Sequence, residues 1–304
     1  MISIIVPNYN HEKFLPQRME SIFSQSFQDF EVILLDDCST DSSWEYLSQF
    51  ANHPKVSHCI RNEVNSGSPF KQWKKGLELA KYDWIWIAES DDYSGLTFLE
   101  SMLENQNPEV SLIFSNSNFI NVNGELIDNS IILEEMSDFE MPSDFTFSSG
   151  VEFITQFLSK RNFIFNASSV LFKKPKSIPN QIQQMRYTGD WYFWIYLASK
   201  GNVSYLPQKL NFFRFHDFST RRFKGNKFEL IRCQENMDCF SYSFSFFTLK
   251  QWLSLDLSYY DQFIGKYFKY VYRTGRVKWK SIFPKLPLVF LPRYYKYYLK
   301  SFFS

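Results

Sequence analysis

The chain has 304 residues, 44% of them hydrophobic and 21% charged, which is enough for one large domain or one domain with an appendage. Its four cysteines form no CxxC pair and no zinc-type spacing with the four histidines, which excludes a zinc module. The net charge of +1 hides an uneven distribution, because ten of the 33 basic residues and none of the 32 acidic ones follow Asp261. An acidic body without nucleic-acid-binding motifs argues against a nucleic-acid partner.

Short apolar runs alternate with helical patterns over the first 92 residues. Three of the runs are continuous, which is typical of strands buried on both faces, and they are ISIIV, FEVILL and WIWIA. KVSHCI is interpreted as a further strand between the second and the last of them. Helical spacing of apolar residues lies between them, in KFLPQRMESIFSQSF, SSWEYLSQFA and FKQWKKGLELAK. Ser42 and Glu45 have the spacing of a capping box. This alternation predicts an α/β fold with a parallel sheet covered by helices on both faces.

The second half has a less regular pattern. VSLIFSNSNFINVNG predicts a hairpin with Asn123-Gly124 as its turn, and residues 129–149 are interpreted as a variable loop. A helix, a strand, a second helix and further strands then follow, in GVEFITQFLSKR, SSVLFKK, DWYFWIYLASKG and VSYLPQKLNFFRFH. From about residue 226 onward the pattern is helical and rich in aromatic residues.

Acidic side chains follow two of the predicted strands. Asp36 and Asp37 end the second strand, while Glu89, Asp91 and Asp92 come just after the fourth. Ligands of parallel sheets bind beyond the carboxyl ends of the strands, so both clusters should face one site. Carboxylates hold Mg²⁺ together with substrate phosphates, which predicts a cation beside a nucleotide diphosphate. The alternative is a solvated acidic turn without a ligand.

Three stretches, in this order and spacing, carry a family resemblance: SIIVPNYN, SIFSQSFQDFEVILLDDCSTDSS and YDWIWIAESDD. They resemble the family-2 glycosyltransferases with the GT-A fold over about residues 1–220. The resemblance implies a Rossmann-like, mostly parallel sheet flanked by helices. It also implies a catalytic domain over 1–225, with a nucleotide-sugar half over about 1–115 and an acceptor half over about 116–225. A helical, aromatic and basic extension would follow over 226–304.

The resemblance also implies which residues bind the donor. Those that would contact the nucleotide are Pro7, Asn8 and Tyr9 around base and ribose, Asp37 as acceptor for a base N–H, Asp91, and Lys71 toward phosphate. Lys71 could equally be an exposed helix lysine, and Asn65, Ser66 and Gly67 match the donor site loosely. The divalent cation, Mn²⁺ or Mg²⁺, would be held by Asp92, Asp91 and His216. Glu89 stands where the family has an aspartate, which leaves its role open.

Catalysis in such an enzyme needs a base for the acceptor hydroxyl. The matching residue is Asp190, with Gly189 in place of the family's usual first acid; the alternative is that Asp190 only complements a helix N-terminus. On the acceptor side, the resemblance implies roles for Asn166 and Trp191, with Arg214 as support, although an aromatic at this place could instead pack in the core. The implied reaction is a single displacement with inversion, which needs no enzyme nucleophile.

The expected function is metal-dependent hexosyl or N-acetylhexosaminyl transfer from a nucleotide-diphosphate sugar, with UDP as the expected nucleotide. The acceptor would be a hydroxyl of a glycan or a lipid-linked acceptor in surface polysaccharide synthesis. A degenerate sugar-nucleotide-binding protein is one alternative. Another is a nucleotidylyltransferase, which would need a glycine-rich loop that PNYNHEKF lacks.

The expected location is the cytoplasm. The opening MISIIVP enters a strand without a signal-like region, and LPLVFLP is too short to cross a bilayer. Basic and aromatic residues interleave in the C-terminal segment, which predicts peripheral contact with the inner face of the membrane. The alternative is a helical lid packed on the catalytic domain.

Overall fold

The structure is a computed structural model. It describes residues 1–128, 145–147, 149–216 and 225–274, together with residues 290, 292, 293 and 296. Its strands are β1 (Ile2–Asn8), β2 (Phe30–Asp36), β3 (Val56–Arg61), β4 (Trp84–Ile87), β5 (Tyr93–Ser94), β6 (Val110–Ile120), β7 (Phe145–Phe147), β8 (Val170–Lys173) and β9 (Asn202–Arg214).

The helices separate and follow these strands. They are α1 (Leu15–Phe23), α2 (Ser43–Ser48), α3 (Pro69–Leu79), α4 (Phe98–Glu104), α5 (Gly150–Phe153), α6 (Asn180–Gln184), α7 (Gly189–Ala198), α8 (Asn226–Phe244), α9 (Leu249–Leu253) and α10 (Ser258–Thr274). A π-helical turn over Ile154–Leu158 continues α5, and a 3-10 turn over Ala167–Ser169 precedes β8.

Within the described residues, the strands form one sheet in the order β3-β2-β1-β4-β8-β6-β9-β5, with β7 also paired to β9. The first four strands in this order are parallel, so their carboxyl ends share one edge. β8 joins β4 to β6 in antiparallel fashion, and β6 and β9 are parallel. The predicted α/β class is confirmed, and the acidic clusters after β2 and β4 lie at the same edge.

Two hydrophobic clusters cover the two faces of the sheet. In β1, Ile5 points to the cluster that includes α3 and α7, whereas Ile4 and Val6 point to the cluster with α1 and α4. Because successive side chains of a strand face opposite sides, a strand covered on both faces must be apolar throughout. This explains the unbroken apolar runs in the sequence.

The C-terminal helices extend the first of these clusters. α8 packs on α7, where the Phe240 ring meets Trp191 edge-on at a centroid distance of 5.2 Å. α10 packs on α8 in turn, and the rings of Phe244 and Tyr260 lie 5.3 Å apart. None of the helices in the described part of the chain is long and apolar enough to cross a membrane.

One local prediction was confirmed and two were wrong in detail. The turn at Gly124 forms, with φ +85°, and its return segment pairs with the end of β6 through the antiparallel bridge between Ile120 and Leu126 and a hydrogen bond from the Ile127 N–H to the Phe119 carbonyl at 2.9 Å. The interpreted loop 129–149 contains β7, and residues 129–144 and 148 lie outside the described residues. Ser42 occupies the N-cap of α2 without a side-chain capping bond.

The contact between α3 and β1 generates a prediction. A Cβ on Gly76 would lie 2.3 Å from Cγ2 of the buried Ile5 side chain. We expect Gly76→Ala to lower the free energy of unfolding by about 1–3 kcal/mol through overpacking. This loss should outweigh the gain of up to about 1 kcal/mol that alanine has over glycine in a helix.

Urea denaturation of the single and double variants measures the effect. In Gly76→Ala/Ile5→Ala the crowding is removed, so the loss should be smaller than the sum of the two single losses. A Gly76→Ala protein more stable than the wild type would contradict the close packing of α3 on β1.

Candidate active site

The acids that follow β4 lie among histidines contributed by distant parts of the chain. Asp91 Oδ2 is 2.9 Å from Nε2 of His216, which follows β9. The ring of His11, from the segment between β1 and α1, lies edge-on to His216 at 5.4 Å, and His11 Nδ1 is 2.8 Å from Ser90 Oγ. One possible ligand atom from each of His11, Asp91 and His216 lies within 4.8 Å of the others.

Asp92 faces a different set of partners. Its Oδ1 accepts from the Arg214 backbone N–H at 2.9 Å, and its Oδ2 accepts from Asn166 Nδ2 at 2.6 Å. The residue is only 1% exposed. Asp92 therefore fastens β9 and the segment before the 3-10 turn to the end of β4. The group of possible ligand atoms contains Asp91, His216 and His11, and His11 is a residue that the sequence did not suggest.

Arg214 contacts the acidic segment from the end of β9. Its Nε donates to the Asp91 carbonyl at 2.8 Å, and one terminal nitrogen donates to Gln17 Oε1 at 2.5 Å. The guanidinium also donates to the carbonyls of Asn121 and Val122, at 3.1 and 3.2 Å. These contacts tie the acidic segment, α1 and the turn after β6 to one side chain.

The side chain of Arg18 is charged and fully buried. The sequence predicted only that this residue lies in a helix. From α1, its guanidinium donates to the Glu89 carbonyl at 2.8 Å, Ser168 Oγ at 3.0 Å and Ser94 Oγ at 3.3 Å. Burial lowers the pKa of Arg18 to about 10, against the opposing influence of Asp92 and the other acids. It therefore remains charged at neutral pH and compensates the acidic cluster.

Each of the three acids titrates differently. Burial, followed by the neighbouring Asp91, raises the pKa of Glu89 to about 8, and Trp73 Nε1 donates to Glu89 Oε1 at 2.8 Å. The same two causes raise the pKa of Asp92 to about 6. Burial alone would raise the pKa of Asp91 too, but His11 and His216 outweigh it and hold that pKa below its usual range. Asp91 is therefore the carboxylate that stays ionised most readily.

The predicted nucleotide residues gather after β1 and β2. Asp37 is buried, and its carboxylate accepts from Ser66 N–H at 2.9 Å, Ser66 Oγ at 2.8 Å, Gln72 at 2.8 Å and Asn62 at 2.6 Å. Lys71 Nζ donates to the Ser66 carbonyl at 2.8 Å, and Asn65 Nδ2 donates to the Asp37 carbonyl at 3.0 Å. Asp37 thus anchors the loop that precedes α3.

The β1 residues of this group differ in exposure. Pro7 is a buried residue of β1 and is paired with Leu35 of β2 in the sheet. Asn8 is buried and donates to Asp36 Oδ1 at 2.9 Å, while its own Oδ1 has no partner among the described residues. Tyr9 is exposed and is free to meet a ligand ring at the surface.

Asp190 lies in the first turn of α7, as predicted. Its Oδ2 accepts from Asn162 Nδ2 at 3.0 Å, an orienting contact that the sequence did not reveal. Trp191 does not line an open surface, because its ring is 4% exposed and its Nε1 donates to the Leu158 carbonyl at 2.9 Å. The structure therefore gives Trp191 the core-packing role that was the alternative to sugar stacking.

Gly189, which stands in place of the family's usual first acid, has no room for a side chain. A Cβ there would lie 2.6 Å from the ring of Phe70 in α3. Four residues before Gly189, the Met185 carbonyl accepts a hydrogen bond from Ser68 Oγ at 3.0 Å. The loop anchored by Asp37 and the segment that leads to Asp190 are therefore in direct contact.

Comparison with known proteins gives the family and the fold of the chain. The family model described as "Glycosyl transferase family 2" matches residues 3–169. The chain belongs to this family. Among its relatives, the poly(ribitol-phosphate) beta-glucosyltransferase of Bacillus spizizenii is 36% identical over 96 residues, which are 31% of this chain and 15% of that protein. The chain thus matches only a small part of the length of that longer relative.

Solved structures of two other proteins have a similar fold. A Staphylococcus aureus TarS fragment has a TM-score of 0.56 and 19% identity, over 99% of this chain and 79% of the other. A second TarS structure contains UDP. The Pyrobaculum calidifontis mannosyltransferase PcManGT, in complex with GDP-Man and Mn²⁺, has a TM-score of 0.55 and 12% identity, over 99% of this chain and 86% of the other. These similarities confirm the GT-A architecture.

The buried Arg18 generates the prediction for this site. Replacing it by methionine keeps the apolar bulk of the side chain but removes a buried cation that, together with Arg214, compensates the carboxylates of Asp91 and Asp92. We expect Arg18→Met to lower the free energy of unfolding by about 3–5 kcal/mol, as measured by urea denaturation. Lys13→Met, an exposed cation just before the same helix, should change it by less than about 0.5 kcal/mol. Equal effects of the two substitutions would contradict the compensating role.

Proposed function

We propose that this chain transfers a sugar from a nucleotide-diphosphate sugar to a hydroxyl of a glycan or lipid-linked acceptor in cell-surface glycan synthesis. The observation that carries the proposal is the cluster of Asp91, His11 and His216 at the sheet edge that also bears Asp37. Two relatives, the poly(ribitol-phosphate) glycosyltransferases of Bacillus spizizenii and Staphylococcus aureus, support a glycan acceptor of this kind.

The nucleotide of the donor is proposed to be UDP. Among the described residues, Asp37 Oδ2 accepts one hydrogen bond, from Ser66 Oγ, which leaves it capacity to accept a uracil N–H. Asn8 and Tyr9 supply a polar group and an exposed ring beside it. The TarS structures with UDP and with UDP-GlcNAc support the same nucleotide.

The cation is proposed to be Mn²⁺ rather than Mg²⁺. The donor set of His11, Asp91 and His216 fits a divalent transition metal, since imidazole nitrogens suit such ions and Mg²⁺ prefers oxygen ligands. When bound, such an ion offsets the charge that develops on the departing nucleoside diphosphate. The Mn²⁺ in the mannosyltransferase structure supports this choice.

The protein itself is proposed to supply the base. Asp190 takes the proton from the acceptor hydroxyl as that oxygen attacks the anomeric carbon and the bond to the nucleoside diphosphate breaks. Asn162 keeps one carboxylate oxygen of Asp190 in a fixed direction. Attack on the face opposite the departing group inverts the anomeric configuration and needs no enzyme nucleophile.

Sugar transfer from a panel of UDP-sugars with Mn²⁺ tests this function. We expect Asp190→Asn to lower kcat by about 10²-fold or more, because the amide cannot take the proton. Calorimetry should show unchanged UDP binding. Equal transfer by the wild type and Asp190→Asn would contradict the assignment of the base.

The matched control is Glu152→Gln. Glu152 is an exposed acid in the first turn of α5, so this substitution removes a comparable helix N-terminal charge away from the site. If it lowered kcat as much as Asp190→Asn, helix electrostatics rather than proton transfer would explain the effect.

Peripheral membrane contact through the basic tail stays a proposal, since most of residues 275–304 lie outside the described residues. Leu249 and Leu253 on α9 are 75% and 80% exposed, which supports an apolar contact close to that tail. Deleting the whole tail is unsuitable as a test, because it would remove Phe290, whose buried ring packs on Phe244 and Tyr260 at 5.5 Å each.

Charge reversal avoids that problem. We expect wild-type protein to co-sediment with anionic phosphatidylglycerol vesicles and to lose binding when three tail charges are reversed, each being worth about 1 kcal/mol near such a surface. The tail variant combines Arg276→Glu, Lys278→Glu and Lys280→Glu. The control variant reverses three exposed charges elsewhere, at Lys176, Lys209 and Lys227. Unchanged binding of the tail variant would contradict membrane contact.

A further inference from the structure

We propose that Glu235, in the C-terminal helical region, is a positioning residue for Asp190; this rests on the proposed function. Glu235 lies on α8, and its carboxylate accepts hydrogen bonds from three successive backbone N–H groups and, at 3.4 Å, from Thr188 Oγ1. Oε1 accepts from Arg186 at 2.7 Å, and Oε2 accepts from Tyr187 and Thr188 at 2.8 Å each. Asp190 follows Thr188 by two residues.

The bonds matter because of where they are made. Residues 186–188 form the short connection between α6 and α7, and Thr188 is the N-cap of α7. The carboxylate that receives them is itself buried, with 6% of the residue exposed. Bonds from N–H groups to an ionised acceptor are stronger than neutral ones, and three converging donors define both position and direction. The start of α7, and with it Asp190, is thereby fixed to α8.

Neighbouring residues of α8 contact α6 and the end of the connection. Asp238 Oδ2 accepts from Gln181 Nε2 of α6 at 3.0 Å, and Cys239 Sγ lies 3.6 Å from the Thr188 carbonyl. Positions 235, 238 and 239 share one face of a helix, because side chains three and four residues apart are neighbours. Of these three residues, Glu235 accepts the bonds from residues 186–188, so the other contacts support it but cannot replace its acceptor oxygens.

The donor half of the protein also contacts this connection. There Ser68 binds the Met185 carbonyl and Phe70 lies against Gly189. The segment that leads to Asp190 is thus held by the start of α3 as well as by α8. The hydrogen bonds that anchor Asp37 do not involve Glu235, so removing the α8 anchor should loosen the segment and leave donor binding intact.

The test compares Glu235→Gln, which has nearly the same size, with the wild type and Mn²⁺ present. Glutamine offers one acceptor oxygen and turns an NH₂ group toward backbone donors, so the three bonds cannot all form. We expect kcat to fall by about 10²-fold, the effect of a small misplacement of a reacting group, while the donor KM and UDP binding stay unchanged. Glu235→Asp, which keeps the charge, should recover part of kcat.

Hydrogen exchange provides a second readout that needs no activity. The amides of Arg186, Tyr187 and Thr188 should exchange faster in Glu235→Gln than in the wild type. The control is Phe244→Leu, on the same helix, whose ring packs on Trp252 and Tyr260 at 5.2 and 5.3 Å and not on this connection. It should lower Tm without changing kcat or the exchange of these amides.

Three results would overturn the proposal: unchanged amide exchange in Glu235→Gln, an unchanged kcat, or an equal fall of kcat in Phe244→Leu. A rise in donor KM with constant kcat would also contradict it, because that pattern indicates lost substrate binding. Failure of the proposed function looks different, since the wild type itself would then transfer no sugar. Accelerated exchange in Glu235→Gln would in that case still establish the anchor.

Discussion

The site depends on the balance between the carboxylates at the end of β4 and two buried guanidinium groups. Unpaired charge is costly to bury, so Asp91 and Asp92 can be ionised at this edge only with cations close by, whereas burial and Asp91 raise the pKa of Glu89 to about 8 and keep it protonated at neutral pH. Arg18 comes from α1, and Arg214 comes from the end of β9, almost two hundred residues later. The electrostatic requirement thus determines how the two halves of the sheet meet and where His216 lies.

A chain of contacts joins the proposed donor and acceptor regions. Asp37 holds the loop before α3, the start of α3 touches the connection around Gly189, and Glu235 holds that connection from the other side. The described C-terminal helices are part of the core on which α7 rests. They therefore support the helix that carries Asp190 through packing, whatever the remaining tail binds.

The sequence predicted those features that depend on local pattern. Continuous apolar runs identified β1, β2 and β4, and acids after strands had to share an edge once the strands were parallel. Arg18 and Glu235 were missed because a charge on a helix normally faces water, and only tertiary contacts show that these two are buried. Trp191 could have faced a ligand or the core, and the packing of α8 decided for the core. The resemblance pointed to His216 and Asn166, but a local pattern could not show that His216 pairs with Asp91 and Asn166 with Asp92, because these partners are far apart along the chain.

The fit of Phe70 against Gly189 has an evolutionary consequence. An acid at position 189 would need the ring of Phe70 to leave, while a smaller residue at position 70 would open a gap unless position 189 gained a side chain. The two positions are therefore coupled, and an acid at position 189 requires a change at position 70 as well. Across relatives, this contact predicts correlated substitution: a bulky aromatic at the first position with glycine at the second, or a smaller residue with an acid.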